Sequence, residues 1–162
     1  MLKVNGFTKL ISKEVEIFID YCDGTKTIAN SSKIFDLCID GDFLKEDFNK
    51  TSKAKKRTQV NVFEVVKNST LAQIFGSLYE NCDLDKLCLT QHQVSVFCKD
   101  NKNWLRGDTY GTLFLVKMEF NYYVLHVIMG SSRLAIHRYH LGDSDVKWQG
   151  ACLHRVVARC NN

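Results

Sequence analysis

An α+β fold is predicted: an N-terminal β segment, then two central helices packed on a C-terminal four-stranded antiparallel meander. Three observations lead there. Apolar residues alternate with polar ones in the first forty positions, recur every three or four residues between 71 and 105, and return to alternation in four runs after residue 109. The expected organisation is a small β-rich segment over 1–47, a basic linker or loop over 48–59 and an α+β core domain over 60–162.

The first strand signal is Val15, Ile17 and Ile19 interleaved with Glu14, Glu16 and Asp20, followed by a turn at Asp23-Gly24. A second alternating run, Phe35, Leu37 and Ile39, stops at Asp40-Gly41-Asp42. Residues 49–58 carry no strong apolar side chain and predict an exposed connection, and Val60, Val62 and Val66 begin another strand. The stripe Leu71, Ile74, Phe75 and Leu78 predicts a helix capped at Asn68 or Ser69 and running to about Glu80. Thr90 and Gln93 have capping-box spacing, with Leu89 and Val94 as a hydrophobic staple. They open a second helix that buries Val94, Phe97, Cys98, Trp104 and Leu105 and ends at Gly107. The meander strands are Tyr110 to Phe120, Tyr122 to Met129, Leu134 to Leu141 and Cys152 to Arg159. Their short connections favour antiparallel neighbours, and the helices are expected to cover one sheet face.

Composition narrows the class. With 162 residues, 45% hydrophobic and 25% charged, the chain is an ordinary globular protein. No apolar run approaches the ~18–20 residues of a membrane-crossing helix. Proline is absent, so turns fall to Gly, Asn, Asp and Ser. Seven cysteines lack the dense spacing of a secreted disulfide scaffold, and the N-terminus lacks a secretory apolar stretch. Reduced thiols and a cytoplasmic location are the expectation.

The net charge of +4 is unevenly placed. Residues 1–49 carry six basic and nine acidic groups, whereas residues 50–67 carry Lys50, Lys53, Lys55, Lys56, Arg57 and Lys67 against Glu64 alone. Each cation that neutralises a phosphate releases counterions, so this cluster points to nucleic acid. The leading expectation is a small non-enzymatic binding or regulatory protein. It would contact nucleic acid or a nucleoprotein through Lys53, Lys55, Lys56 and Arg57 and through Arg133, Arg138 and Arg155 on an Arg- and His-rich sheet face. Sheet aromatics, among them Tyr110, Phe120, Tyr122 and Tyr139, are interleaved with Lys117, Arg133 and Arg138 and could stack bases while those cations track phosphates.

Two alternatives accompany it. The order of two helices and then a meander over residues 68–162 resembles, in layout alone and without a shared motif, the small metal-independent ribonucleases and ribonuclease toxins of the barnase and RelE type. That resemblance implies phosphodiester cleavage, with Glu119, His137 and His140 for proton transfer and Arg138 and Arg155 as the phosphate clamp. The other alternative is a protein-binding inhibitor, phage or host-defence related, using a sheet edge or helix face.

No cofactor is expected, because the Gly-x-Ser-x-Gly elbow and the phosphate-binding Gly-x-x-x-x-Gly-Lys-Ser/Thr loop are both absent. No metal is expected either: His137 and His140 have opposite parity on a strand, leaving only Cys152 and His154 on a common face.

Overall fold

The computed structural model describes residues 6–161. Its centre is a mixed eight-stranded sheet built from β1 (Thr8–Leu10), β2 (Ile17–Ile19), β3 (Cys38–Ile39), β4 (Thr58–Val65), β5 (Gly111–Met118), β6 (Asn121–Gly130), β7 (Arg133–His140) and β8 (Arg155–Arg159). The spatial order is β1-β4-β8-β5-β6-β7-β3, with β2 also on β4. This overturns the predicted four-stranded antiparallel meander. β5, β6 and β7 do form consecutive antiparallel hairpins, but β8 does not return beside β7. It inserts between β4 and β5, antiparallel to the first and parallel to the second.

The reason lies in the burial that β8 demands. Val156 and Ala158 pack into one face of the sheet and Val157 into the other, so the strand needs an interior position. The segment between β7 and β8 is long enough for the crossover that parallel pairing with β5 requires. The N-terminal strands likewise make no sheet of their own: β1 pairs with the end of β4 and β2 with its start. The 33–39 run shortens to β3, parallel to β7, because Ser31 to Phe35 folds into a turn closed by the Phe35 amide on the Ser31 carbonyl (3.0 Å).

Helices cover both faces rather than one. α1 (Leu71–Gly76) packs Leu71, Ile74 and Phe75 against Leu113, Leu115 and Val124, and α2 (Leu84–Leu87) adds Leu87 to that layer. α3 (Gln91–Asp100) and residues 17–48 cover the opposite face, where Val94, Phe97 and Cys98 meet Phe114, Val116 and Leu125. The Phe97 and Phe114 rings meet edge to face at 5.5 Å. Burying each such side chain contributes about 1.5–3 kcal/mol.

The capping chemistry is local. Thr90 Oγ1 accepts from the Gln93 amide (3.1 Å), and Gln93 Oε1 accepts from the Thr90 amide (3.0 Å), the box expected from the spacing. α1 has a second such box at Thr70 and Gln73 rather than a cap at Asn68 or Ser69, since Ser69 is bridged to Trp148. α1 stops at Gly76, and α3 stops at Asp100 before a 3-10 turn over Lys102–Trp104. Gly107 therefore ends no helix; among the described residues Gly24 is the glycine with positive φ. No helix among the described residues is long and apolar enough to cross a membrane.

Candidate nucleic-acid interface

The basic segment is held in place from both sides. Lys55 exchanges two backbone hydrogen bonds with Cys22 (2.7 and 3.0 Å), and the Ser52 amide donates to the Gly24 carbonyl (3.0 Å). Gly24 is required there, with φ +85° and a missing Cβ that would stand 2.0 Å from the Ser52 carbonyl oxygen. Its amide donates to Nδ1 of buried His92 on α3 (3.1 Å). Burial pushes the His92 pKa down, and an Nδ1 that accepts this bond carries no proton. The nearby Asp23 carboxylate (3.3 Å) therefore faces a neutral ring. Gln91 and Gln93 complete the anchor. Gln91 accepts from the Ile28 amide (2.9 Å) and donates to the Phe48 carbonyl (2.8 Å), and Gln93 donates to Thr58 Oγ1 (2.9 Å). One polar helical turn thus fixes the entry and exit of residues 50–57.

Two clefts open along this segment. The larger, about 370 Å³, lies between Lys50, Lys55, Lys117 and Arg159, next to the start of α3 at Thr90 and Gln91. The smaller, about 290 Å³, is lined by Lys55, Lys56, Arg57 and Arg159. Lys55 and Arg159 belong to both and make the common wall. The pairing of Val60 with Arg159 brings the last residue of β8 to the exit of the basic segment.

Carboxylates position the rim cations. Lys117 Nζ lies 2.8 Å from Asp85, which also accepts from the Tyr122 hydroxyl. Lys50 Nζ lies 2.6 Å from Glu119. The hydrogen bond to Asp85 raises the Lys117 pKa and that to Glu119 raises the Lys50 pKa, so both remain charged. Arg57 lies flat on Phe18, 3.8 Å from the ring centroid, with Asp20 at 3.4 Å. By contrast, neither Lys55 nor Arg159 forms an ion pair with any described residue.

The predicted sheet residues are not brought together with this groove. Arg133, at the start of β7, pairs with Asp36 (3.6 Å). Arg138 is largely covered, its guanidinium over Phe48 and Tyr123 (4.6 and 4.9 Å) with Asp42 at 3.6 Å. Arg155 donates to the Trp104 and Leu105 carbonyls (2.9 and 3.3 Å) beyond α3, and burial lowers its pKa. Both faces of the sheet carry covering elements, and each of these three cations contacts its own chain, Arg133 with its side chain still 55% exposed.

The five residues proposed for cleavage do not converge either. His137 shares a face with His126 and lies 3.6 Å from Asp40, while His140 packs on Tyr123 on the opposite face. Glu119 follows the last residue of β5, whereas Arg155 pairs with Thr112 at its beginning. Among the described residues no group of three or more His, Cys, Asp or Glu is arranged to hold a metal ion. Cys82 and Cys88 donate to separate carbonyls, those of Phe75 and Leu84.

Sequence reasoning selected Lys53, Lys55, Lys56 and Arg57 and counted Lys117 among the sheet cations, but it did not join Lys50, Lys117 and Arg159 into one groove. A partial signal existed: Lys50 belongs to the same charge run, and Arg159 ends a strand. In comparison with known proteins, the chain matches no family model, no curated protein and no solved structure.

Proposed function

We propose that the protein is a non-enzymatic binding or regulatory module that contacts nucleic acid or a nucleoprotein through the groove along residues 50–57. The observation that carries this reading is the pair Lys55 and Arg159. Two cations without a carboxylate partner among the described residues form the wall between two clefts, where a phosphodiester chain would pair with them. Lys50, Lys117 and Arg57 extend the positive potential along the rim, and Lys53 and Lys56 add exposed cations on the same segment. A cytoplasmic location accords with seven cysteines that form no disulfide among the described residues.

The test is the salt dependence of binding. Affinity for a labelled oligonucleotide, read by fluorescence anisotropy, is expected to fall steeply between low and moderate salt. Lys55→Ala and Arg159→Gln are each expected to reduce the logarithmic salt slope by about one. Absence of binding at low salt overturns the reading, as does a slope unchanged in the double variant.

A further inference from the structure

We infer that the groove is built for single-stranded nucleic acid, with phosphates on Lys55 and Arg159 and bases stacked on two exposed rings, Phe120 and Tyr21. This rests on the reading of the groove just given and narrows its substrate. Phe120 is 92% exposed and Tyr21 is 65% exposed, so neither ring contributes much to the core.

Neither ring lines a cleft, but each is carried next to a residue that does. Phe120 follows Glu119, the carboxylate that holds Lys50 in the larger cleft. Tyr21 lies between the pairs Ile19–Thr58 and Cys22–Lys55, which places it alongside Lys55 and Lys56 of the smaller one.

The turn that carries Phe120 is chemically out of character for a hairpin. β5 ends at Met118 and β6 begins at Asn121, so Glu119 and Phe120 form a two-residue connection, and Glu119 sits at φ +56°. Such turns favour Gly, Asn or Asp at positive φ. Here the first position holds a carboxylate that orients a groove cation, and the second holds an aromatic ring projecting into water. The pairing with Lys50 accounts for the carboxylate, whereas a ring left in water is accounted for by a ligand and not by the core.

Stacking also selects the strand state. In a duplex the base faces are occupied by one another, so the two rings gain nothing, whereas unpaired bases present a π-face to each. The cations alone would bind either form, because they meet only phosphate.

The experiment compares four labelled probes of equal length by anisotropy: a thymidine oligonucleotide, its uridine counterpart, the DNA duplex and an abasic strand. The single strands are expected to bind about tenfold more tightly than the duplex and the abasic strand. Phe120→Ala and Tyr21→Ala are each expected to weaken single-strand binding about tenfold, with duplex affinity and the salt slope unchanged. Both side chains lie largely in solvent, so thermal melts should show the variants folded like the parent. Equal affinity for all four probes, or variants that bind single strands as the parent does, overturns the inference while leaving an electrostatic groove in place. Failure of every probe at low salt instead removes the groove reading itself.

Discussion

The His126 imidazole occupies the space above Gly111 that a side chain would fill. A Cβ at Gly111 would stand 1.7 Å from His126 Nε2 and 2.0 Å from Cδ2. The Gly111 amide in turn donates to Nδ1 of His154 (3.2 Å), and the His126 and His154 rings lie 5.8 Å apart with Trp148 packed edge-on against both. With any other residue at this position the His126 ring must shift for the two strands to close.

Gly111→Ala is therefore expected to destabilise by about 1–3 kcal/mol through overpacking, read as a shift of the urea midpoint at constant m-value. Adding His126→Ala should recover part of that loss, because the ring that clashes is gone. Simple additivity of the two single changes in a double-mutant cycle would refute the steric relationship.

The same histidine makes the fold acid-sensitive. Burial pushes the His126 pKa down to about 3, and neither ring nitrogen has a hydrogen-bond partner among the described residues. A folded pKa below the unfolded value means that the unfolded chain binds the extra proton. Stability is thus full above pH ~6.5 and is lost as pH falls toward 3, by up to roughly 1.4 kcal/mol per pH unit. His154, lowered by burial, acts in the same direction. Urea midpoints between pH 7 and pH 4.5 should fall less steeply in His126→Phe than in the parent; parallel profiles would exclude His126 as a source.

Gly24→Ala should release the basic segment. A Cβ at φ +85° against the Ser52 carbonyl forces residues 50–57 away from Cys22 and residue 24. Faster tryptic cleavage at Lys53, Lys55 and Lys56, with weaker oligonucleotide binding, is the expected outcome. An unchanged digestion rate would show that the anchor lies elsewhere.

Gln91 is the buried clasp between α3 and residues 28–48. Gln91→Leu leaves the Ile28 amide and the Phe48 carbonyl without partners, and about 2–4 kcal/mol of destabilisation is expected from two buried unsatisfied groups. A loss of under about 0.5 kcal/mol in chemical denaturation would mean that both groups find other partners.

Local features were legible in the chain itself. Thr90 and Gln93 specify their capping box through contacts three residues apart, and β5, β6 and β7 follow from alternation with tight connections. The exposed cluster Lys53, Lys55, Lys56 and Arg57 was visible because nothing around it could be buried. Val156 and Val157 were a weaker sign: consecutive apolar residues mark a strand covered on both faces, yet they do not say which strands lie beside it.

What the amino-acid order determined by itself was part of the set of elements, α3 with its cap and β5, β6 and β7 but not β1 or α2, because caps, turns and periodicity depend on residues within a few positions of one another. The assembly of those elements was decided only in three dimensions. Placing β8 between β4 and β5, putting α1 and α3 on opposite faces and bringing Arg159 to the clefts that Lys55 lines all join residues far apart in the chain. Those choices come from filling both sides of one sheet at once, a condition that no single segment carries.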